Sequence, residues 1–150
     1  MENLKTVGQV MRKNIPSVSP DDSLRKAAKV MVENHIWGLP VVQDGKIVGI
    51  FTDGDMLNAF YLNISAFSYE EKSEGSDNGR FKQRVDEFKN LKVKDIMTLQ
   101  PRTINESAGV DEAAGLLKRF KIKRLIVVND RGQLLGMIER LNIVDSIVAD

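Results

Sequence analysis

With 150 residues, 42% of them hydrophobic and 29% charged, the chain has the composition of a globular protein rather than a disordered one, and enough length to bury a real core. Its 22 Lys+Arg against 21 Asp+Glu leave a net charge of +1, so bulk attraction to nucleic acid or to an acidic membrane is excluded as a driving force. The lack of cysteine rules out disulfides and thiolate metal sites, the single histidine (His35) rules out a multi-histidine site, and no apolar run nears the roughly 18–20 residues of a membrane span.

The N-terminal "MENLKTVGQVMRKN" has no apolar signal-peptide core, which makes a cytoplasmic location the expectation. A short strand is predicted around Ser17-Val18. "SPDDS" then offers helix caps ahead of Leu24, Ala27, Ala28 and Met31, spaced along one helical face. In "LPVVQDGKIVGIF" two apolar runs flank Asp-Gly, a β-hairpin signature, and "DMLNAF" reads as a closing amphipathic helix. Residues 61–90 follow as an insertion. Its middle, Ser68 to Gly79, is polar and Gly/Ser/Asp-rich and is predicted to be a mobile loop. Phe81, Val85 and Phe88 recur at helical spacing, so a short helix should lie back on the body; a linker with a docking helix and a ligand-covering lid both fit.

The remaining residues repeat the first part. A shift of 86 positions, the separation of Val7 from Val93, aligns Met11 with Met97, Ala27-Ala28 with Ala113-Ala114, Ile36 with Ile122, Leu39 with Leu125 and Val41-Val42 with Val127-Val128. After one extra residue, Arg131, Gly45 meets Gly132 and Gly49 meets Gly136. The second copy has its own helix face (Val110, Ala113, Ala114, Leu117), hairpin ("LIVVNDRGQLLGMI") and closing helix ("LNIVDSIV"). The prediction is an α+β fold of two β-α-β-β-α repeats, residues 1–60 and 91–150, joined by the 61–90 insertion. A unit of this size has little core alone, so the two should pack sheet to sheet.

The copies differ where strand meets closing helix. "GIFTDGD" carries Thr52-x-x-Asp55, a helix-start box in which the hydroxyl accepts from the N3 amide and the carboxylate reaches back to the cap amide. "GMIERLN" has Glu139 and Asn142 in those places. Residue chemistry alone leaves open whether Thr52 and Asp55 only start a helix or also hold a ligand.

The duplicated order of "VGQVM" and "VKDIM" openings, Ala-Ala helices, "IWGLPVV" and "IKRLIVV", hairpins and "GIFTDGD" resembles a tandem pair of CBS domains, also called a Bateman module, over nearly all the chain except 61–90. The resemblance implies a pseudo-twofold pair with two clefts for adenosine-containing ligands such as AMP, ADP, ATP, NAD, S-adenosylmethionine or cyclic di-AMP. These act as regulators rather than required cofactors. It also implies that Thr52 and Asp55 match the hydroxyl and aspartate of nucleotide-binding repeats. The aspartate would clamp a ribose diol, Thr52 would donate to a ribose or phosphate oxygen, and Gly54 would keep the approach open. Glu139 and Asn142 depart from that pattern, so one competent cleft per chain is the expectation.

On the same resemblance, Lys123 and Arg124 would meet phosphates. Lys118, Arg119 and Lys121 read instead as a solvated helix end complementing the helix dipole. Trp37 could stack on a base or simply pack, and His35 reads as an exposed helix-end residue. An adenine pocket would draw on Ile50 and on backbone near Gln100, Pro101 and Arg102. Asp53 with Asp55 is too little for a dedicated metal cage, and no metal site is expected. Neither a nucleophile-base pair nor a reader of nucleic acid emerges, so neither a catalytic residue nor an enzyme is expected. The implied role is a stand-alone regulatory module, a homodimer through exposed helices, signalling to an effector protein and using no membrane. The alternative is an interaction scaffold whose clefts bind nothing.

Overall fold

The computed structural model describes residues 4–65 and 78–149. The chain divides into two compact units, a terminal unit (Met1–Ile15, Asp44–Ile47, Gln100–Asp150) and a central unit (Pro16–Gln43, Val48–Leu99).

In the terminal unit, helix α1 (Val7–Val10) leads into strand β1 (Arg12–Lys13). The rest comes from the far end of the chain, and the central unit's elements intervene in sequence. Strand β5 (Thr103–Asn105), helix α6 (Val110–Phe120), strands β6 (Arg124–Val128) and β7 (Leu134–Glu139) and helix α7 (Arg140–Val148) complete it. The sheet order is β1-β7-β6-β5, with β5 parallel to β6 and the other pairs antiparallel. Val7, Val110, Ala113, Leu117, Leu125, Val127, Ile138 and Ile143 form one buried cluster, as alternating strand positions and one-face helix spacing require. The Asn129 carboxamide oxygen accepts the amides of Arg131 and Gln133, both at 3.0 Å, which organises the longer second hairpin turn that the inserted Arg131 creates.

The central unit holds α2 (Leu24–Asn34), β2 (Gly38–Gln43), β3 (Lys46–Thr52) from Val48 onward, α3 (Asp53–Phe60), a π-helical turn (Tyr61–Ser65), α4 (Asn78–Lys89), α5 (Val93–Ile96) and β4 (Thr98–Leu99). Its sheet runs β2-β3-β4. Within "SPDDS", Ser23 is the cap that α2 uses, accepting the Lys26 amide at 3.1 Å. Helices α2 and α6 both end on a left-handed residue, His35 and Lys121, and His35 is exposed there as expected.

Three expectations change. The strand foreseen at Ser17-Val18 is reduced to an isolated parallel bridge between Val18 and Val41, because Pro20 and Pro40 stand where the second repeat's Glu106 and Ile126 donate ladder amides, and proline has none to donate. The insertion helix begins at Asn78, so Gly79 lies in helix rather than loop, while the remainder of the predicted loop, 68–77, falls outside the described residues. Of the three insertion apolars, Phe88 is buried edge-on against Phe60 (ring centroids 5.8 Å apart), Val85 is half-buried and Phe81 is exposed.

Sequence repeats and compact units do not coincide. The α1–β1 segment, which opens the first repeat, joins the sheet of the second: Val7 donates to the Ala108 carbonyl at 2.8 Å and Gly8 to Glu106 at 2.9 Å. The α5–β4 segment, which opens the second repeat, joins the first: Val93 donates to Asp22 at 2.9 Å and Lys94 to Pro20 at 3.0 Å. Gly136 and Gly49 let these edge strands in. A Cβ at Gly136 would strike the Arg12 carbonyl oxygen, and one at Gly49 would sit 2.9 Å from the Thr98 carbonyl oxygen.

Candidate functional site

The strand-to-helix junction of the central unit is built by the end of β3 and the first turn of α3. Thr52 is extended and half-buried; its hydroxyl accepts the Asp55 amide at 3.1 Å, and Asp55 Oδ2 accepts the Thr52 amide at 3.0 Å. The box read from sequence is therefore closed in both directions. The other carboxylate oxygen, Oδ1, accepts from the Thr98 hydroxyl at 3.0 Å. Thr98 stands opposite Ile50 in the β3–β4 register, which brings a residue 43 positions away onto the same carboxylate.

Trp37 joins this corner through its backbone: its carbonyl accepts the Asp53 amide at 2.9 Å, while its side chain is 52% exposed. Gly54 is exposed, and a Cβ there would meet only Thr52 Oγ1, at an ordinary 3.6 Å. The fold therefore does not need glycine at this position.

Thr52, Asp55, Gly54, Ile50 and Trp37 thus lie together in the central unit, whereas Lys123, Arg124, Gln100, Pro101 and Arg102 belong to the terminal unit. Lys123 is exposed. Arg124 is not a solvent-facing cation: its side chain is 9% exposed and its Nε lies 3.7 Å from Glu139 Oε1, its register partner across β6–β7. Arg102 stacks its guanidinium over the Phe120 ring at 3.3 Å and offers its carbonyl to the Ile126 amide. Gln100 is exposed with a left-handed backbone, and Pro101 is half-buried.

At the equivalent corner of the terminal unit, Asn142 Oδ1 accepts the Glu139 amide at 2.8 Å. The reach-back bond survives, but an amide has replaced the carboxylate and the position matching Thr98 is Arg12. A neutral amide presents one acceptor oxygen and a donor nitrogen, so it cannot clamp two hydroxyls as a carboxylate can.

The sequence reading missed Thr98 and the Arg124–Glu139 pair. The pair was available from hairpin register. Thr98 was not, since its partner strand comes from the other repeat's opening segment. Among the described residues no group of His, Asp or Glu could hold a metal ion.

The CBS domain family model matches residues 7–62 and 93–149. The chain belongs to the CBS domain family. At 30% identity this CBS pair aligns with the chloroplastic CBS domain-containing protein CBSX1 of Arabidopsis thaliana, covering 93% of the chain but 62% of that relative, so the chain spans under two thirds of its length. It also aligns at 33% identity with the inosine-5'-monophosphate dehydrogenase of Korarchaeum cryptofilum, covering 84% of the chain and 21% of the enzyme. Among solved structures, CBSX2 in complex with AMP is 29% identical and superposes with a TM-score of 0.72 over 96% of each chain. Two sheets flanked by helices in tandem CBS repeats are thus the architecture foreseen from the repeat. No helix among the described residues is long and apolar enough to cross a membrane.

Proposed function

We propose that this CBS pair is a regulatory module that binds an adenosine nucleotide of the AMP, ADP or ATP kind, with Thr52 and Asp55 holding the ribose. The observation carrying this reading is Asp55: a half-buried carboxylate fixed at Oδ2 by the Thr52 amide and at Oδ1 by the Thr98 hydroxyl. Two of a carboxylate's roughly four lone-pair sites are used, which leaves about two for a vicinal diol. Charge-assisted bonds of this type are stronger than neutral ones. Support comes from CBSX2, a relative whose solved structure contains AMP.

In this reading the protein is cytoplasmic, converts nothing itself, forms a homodimer, and passes ligand occupancy to an effector protein. Occupancy can shift a conformational equilibrium only by the ligand's difference in affinity for the two states. A second reading, a scaffold that binds nothing at this corner, is favoured by one observation: both Asp55 oxygens already have partners within the fold.

A thermal-shift panel of AMP, ADP, ATP, NAD, S-adenosylmethionine and cyclic di-AMP separates the two. Ligand at a hundred times Kd adds about 2.7 kcal/mol of stability. Binding by wild type and Asn142→Ala, with loss in Asp55→Ala, is the expected pattern. Loss in Asn142→Ala with retention in Asp55→Ala would transfer the site to the other repeat, and no shift with any of the six supports the scaffold.

A further inference from the structure

Helices α6 and α7 enclose a groove of about 510 Å³ on the terminal unit. Ala114, Leu117, Lys118 and Lys121 line one wall, and Arg140, Ile143 and Val144 the other, each set at the spacing of one helical face. Leu117 and Ile143 are buried at its floor, while Lys118, Lys121, Lys123 and Arg140 form an exposed rim. Among the described residues no acid lines the groove, and none of these four cations makes an ion pair. Lys118 and Lys121 stand at the end of α6, where a cation suits the helix dipole. Arg140 opens α7, where the same dipole disfavours it. Nor does the repeat fold require this charge: the related positions hold Val32, His35, Trp37 and Asp53.

We propose that this groove receives an acidic amphipathic helix of the effector protein. A channel between two helices fits a third, whose apolar side chains at i, i+3, i+4 and i+7 reach the floor while carboxylates beside them meet the rim. The lysine and arginine stems extend the apolar walls and leave their charged heads at the top. A bilayer of anionic lipid offers the same charge, but it is flat, and Leu117 and Ile143 lie at the bottom of a concavity. A single-stranded nucleic acid would leave the apolar floor unmatched, since no aromatic residue lines the groove to stack on a base. The proposal rests on the effector reading and not on the nucleotide reading; it states the chemistry of the segment that docks.

The probe is a fluorescein-labelled synthetic helix with leucine at i, i+3, i+4 and i+7 and glutamate on either side, titrated with the full chain and read by anisotropy. Binding should weaken as salt is raised, and Lys123→Glu with Arg140→Glu should weaken it by about tenfold or more. A probe with lysine in place of glutamate should bind that variant instead. Val144→Gln, which changes no charge, should weaken binding several-fold, whereas Lys29→Glu with Lys46→Glu, an equal charge change outside the groove, should leave it unchanged. All five positions are exposed, and melting curves establish that the variants fold. Binding that survives Lys123→Glu with Arg140→Glu seats the probe elsewhere, which overturns the groove and leaves the effector reading standing. Loss on charge reversal with full retention in Val144→Gln also overturns it, as a contact of charges alone. No binding at low salt overturns it outright. So does pelleting with phosphatidylserine vesicles that the charge-reversed variant loses while the helix binds neither chain, and the surface then belongs to a membrane. The nucleotide panel is read without the probe, so neither result decides the other.

Discussion

Among the described residues, four helices begin with the same bond, a side-chain oxygen at N3 accepting the amide of the N-cap residue. In the central unit both acceptors are carboxylates, Asp55 to Thr52 at 3.0 Å and Asp95 to Lys92 at 2.9 Å. In the terminal unit both are amides, Gln9 to Thr6 at 2.9 Å and Asn142 to Glu139 at 2.8 Å. The repeat has kept a hydrogen-bond geometry and let the charge vary. Capping needs only an acceptor oxygen, whereas a negative charge is free to do something further: it favours the helix N-terminus and can hold a polyol. Under the proposed function, the charge at Asp55, absent from its repeat-related Asn142, is what would let this corner hold a ribose; Asp95 shows that a charged cap alone does not make such a corner.

Breaking the two cores should give the largest effects. Leu39 and Leu125 are repeat-related and have 0% exposure, so alanine at either should cost about 2–5 kcal/mol in denaturant unfolding. A loss under ~1 kcal/mol at one of them would mean that its unit is not packed as described. Next comes Asp55→Asn, which makes the central corner imitate the terminal one. The amide oxygen keeps the Thr52 bond, so stability should fall by no more than about 1 kcal/mol, while the ligand-induced melting shift disappears. An unchanged shift would show that the charge is dispensable and would undo the contrast between the corners.

Thr98→Val tests the partner that the central unit alone supplies. Loss of one solvent-exposed hydrogen bond predicts about 0.5–1 kcal/mol, together with weaker nucleotide binding because Oδ1 is no longer oriented. Full retention of both would reduce Thr98 to a bystander.

The smallest effect concerns the exposed Asp21, whose carboxyl is held below its ordinary pKa by the hydrogen bond and charge of Lys94 at 3.1 Å, with Lys92 at 3.6 Å adding to it. A depressed carboxylate stabilises the fold above the unfolded-state pKa and loses that contribution as pH falls through the folded-state value. Asp21→Asn should therefore melt slightly below wild type at neutral pH, and the gap should close in strong acid. A gap that widens in acid would reverse the sign assigned here.

Much of this was legible in the chain itself. The 86-residue shift, the hairpins and the Thr52–Asp55 box follow from local spacing, and local spacing fixes local structure. Two kinds of fact were not. Pro20 and Pro40 cancel a strand that the second repeat retains at Thr103–Asn105, a difference that appears only when amide donors are counted residue by residue. The second kind is which segment fills which sheet edge. Nothing in "VGQVM" or "VKDIM" states that each completes the other repeat's unit, and Thr98 was invisible for that reason. Charge partners inside a hairpin lie between these extremes, since Arg124 opposite Glu139 follows once the turn is counted.

The exchanged openings also set a timetable for the ribosome. Arg12 leaves the exit tunnel with no strand to join, because its partner Met137 is made roughly 125 residues later, a wait on the order of ten seconds at about 5–20 residues per second. The whole central unit, closed by residues up to Leu99, can form within that interval. Arg12-Lys13, a two-residue edge of charged side chains, is poorly suited to aggregate while it waits.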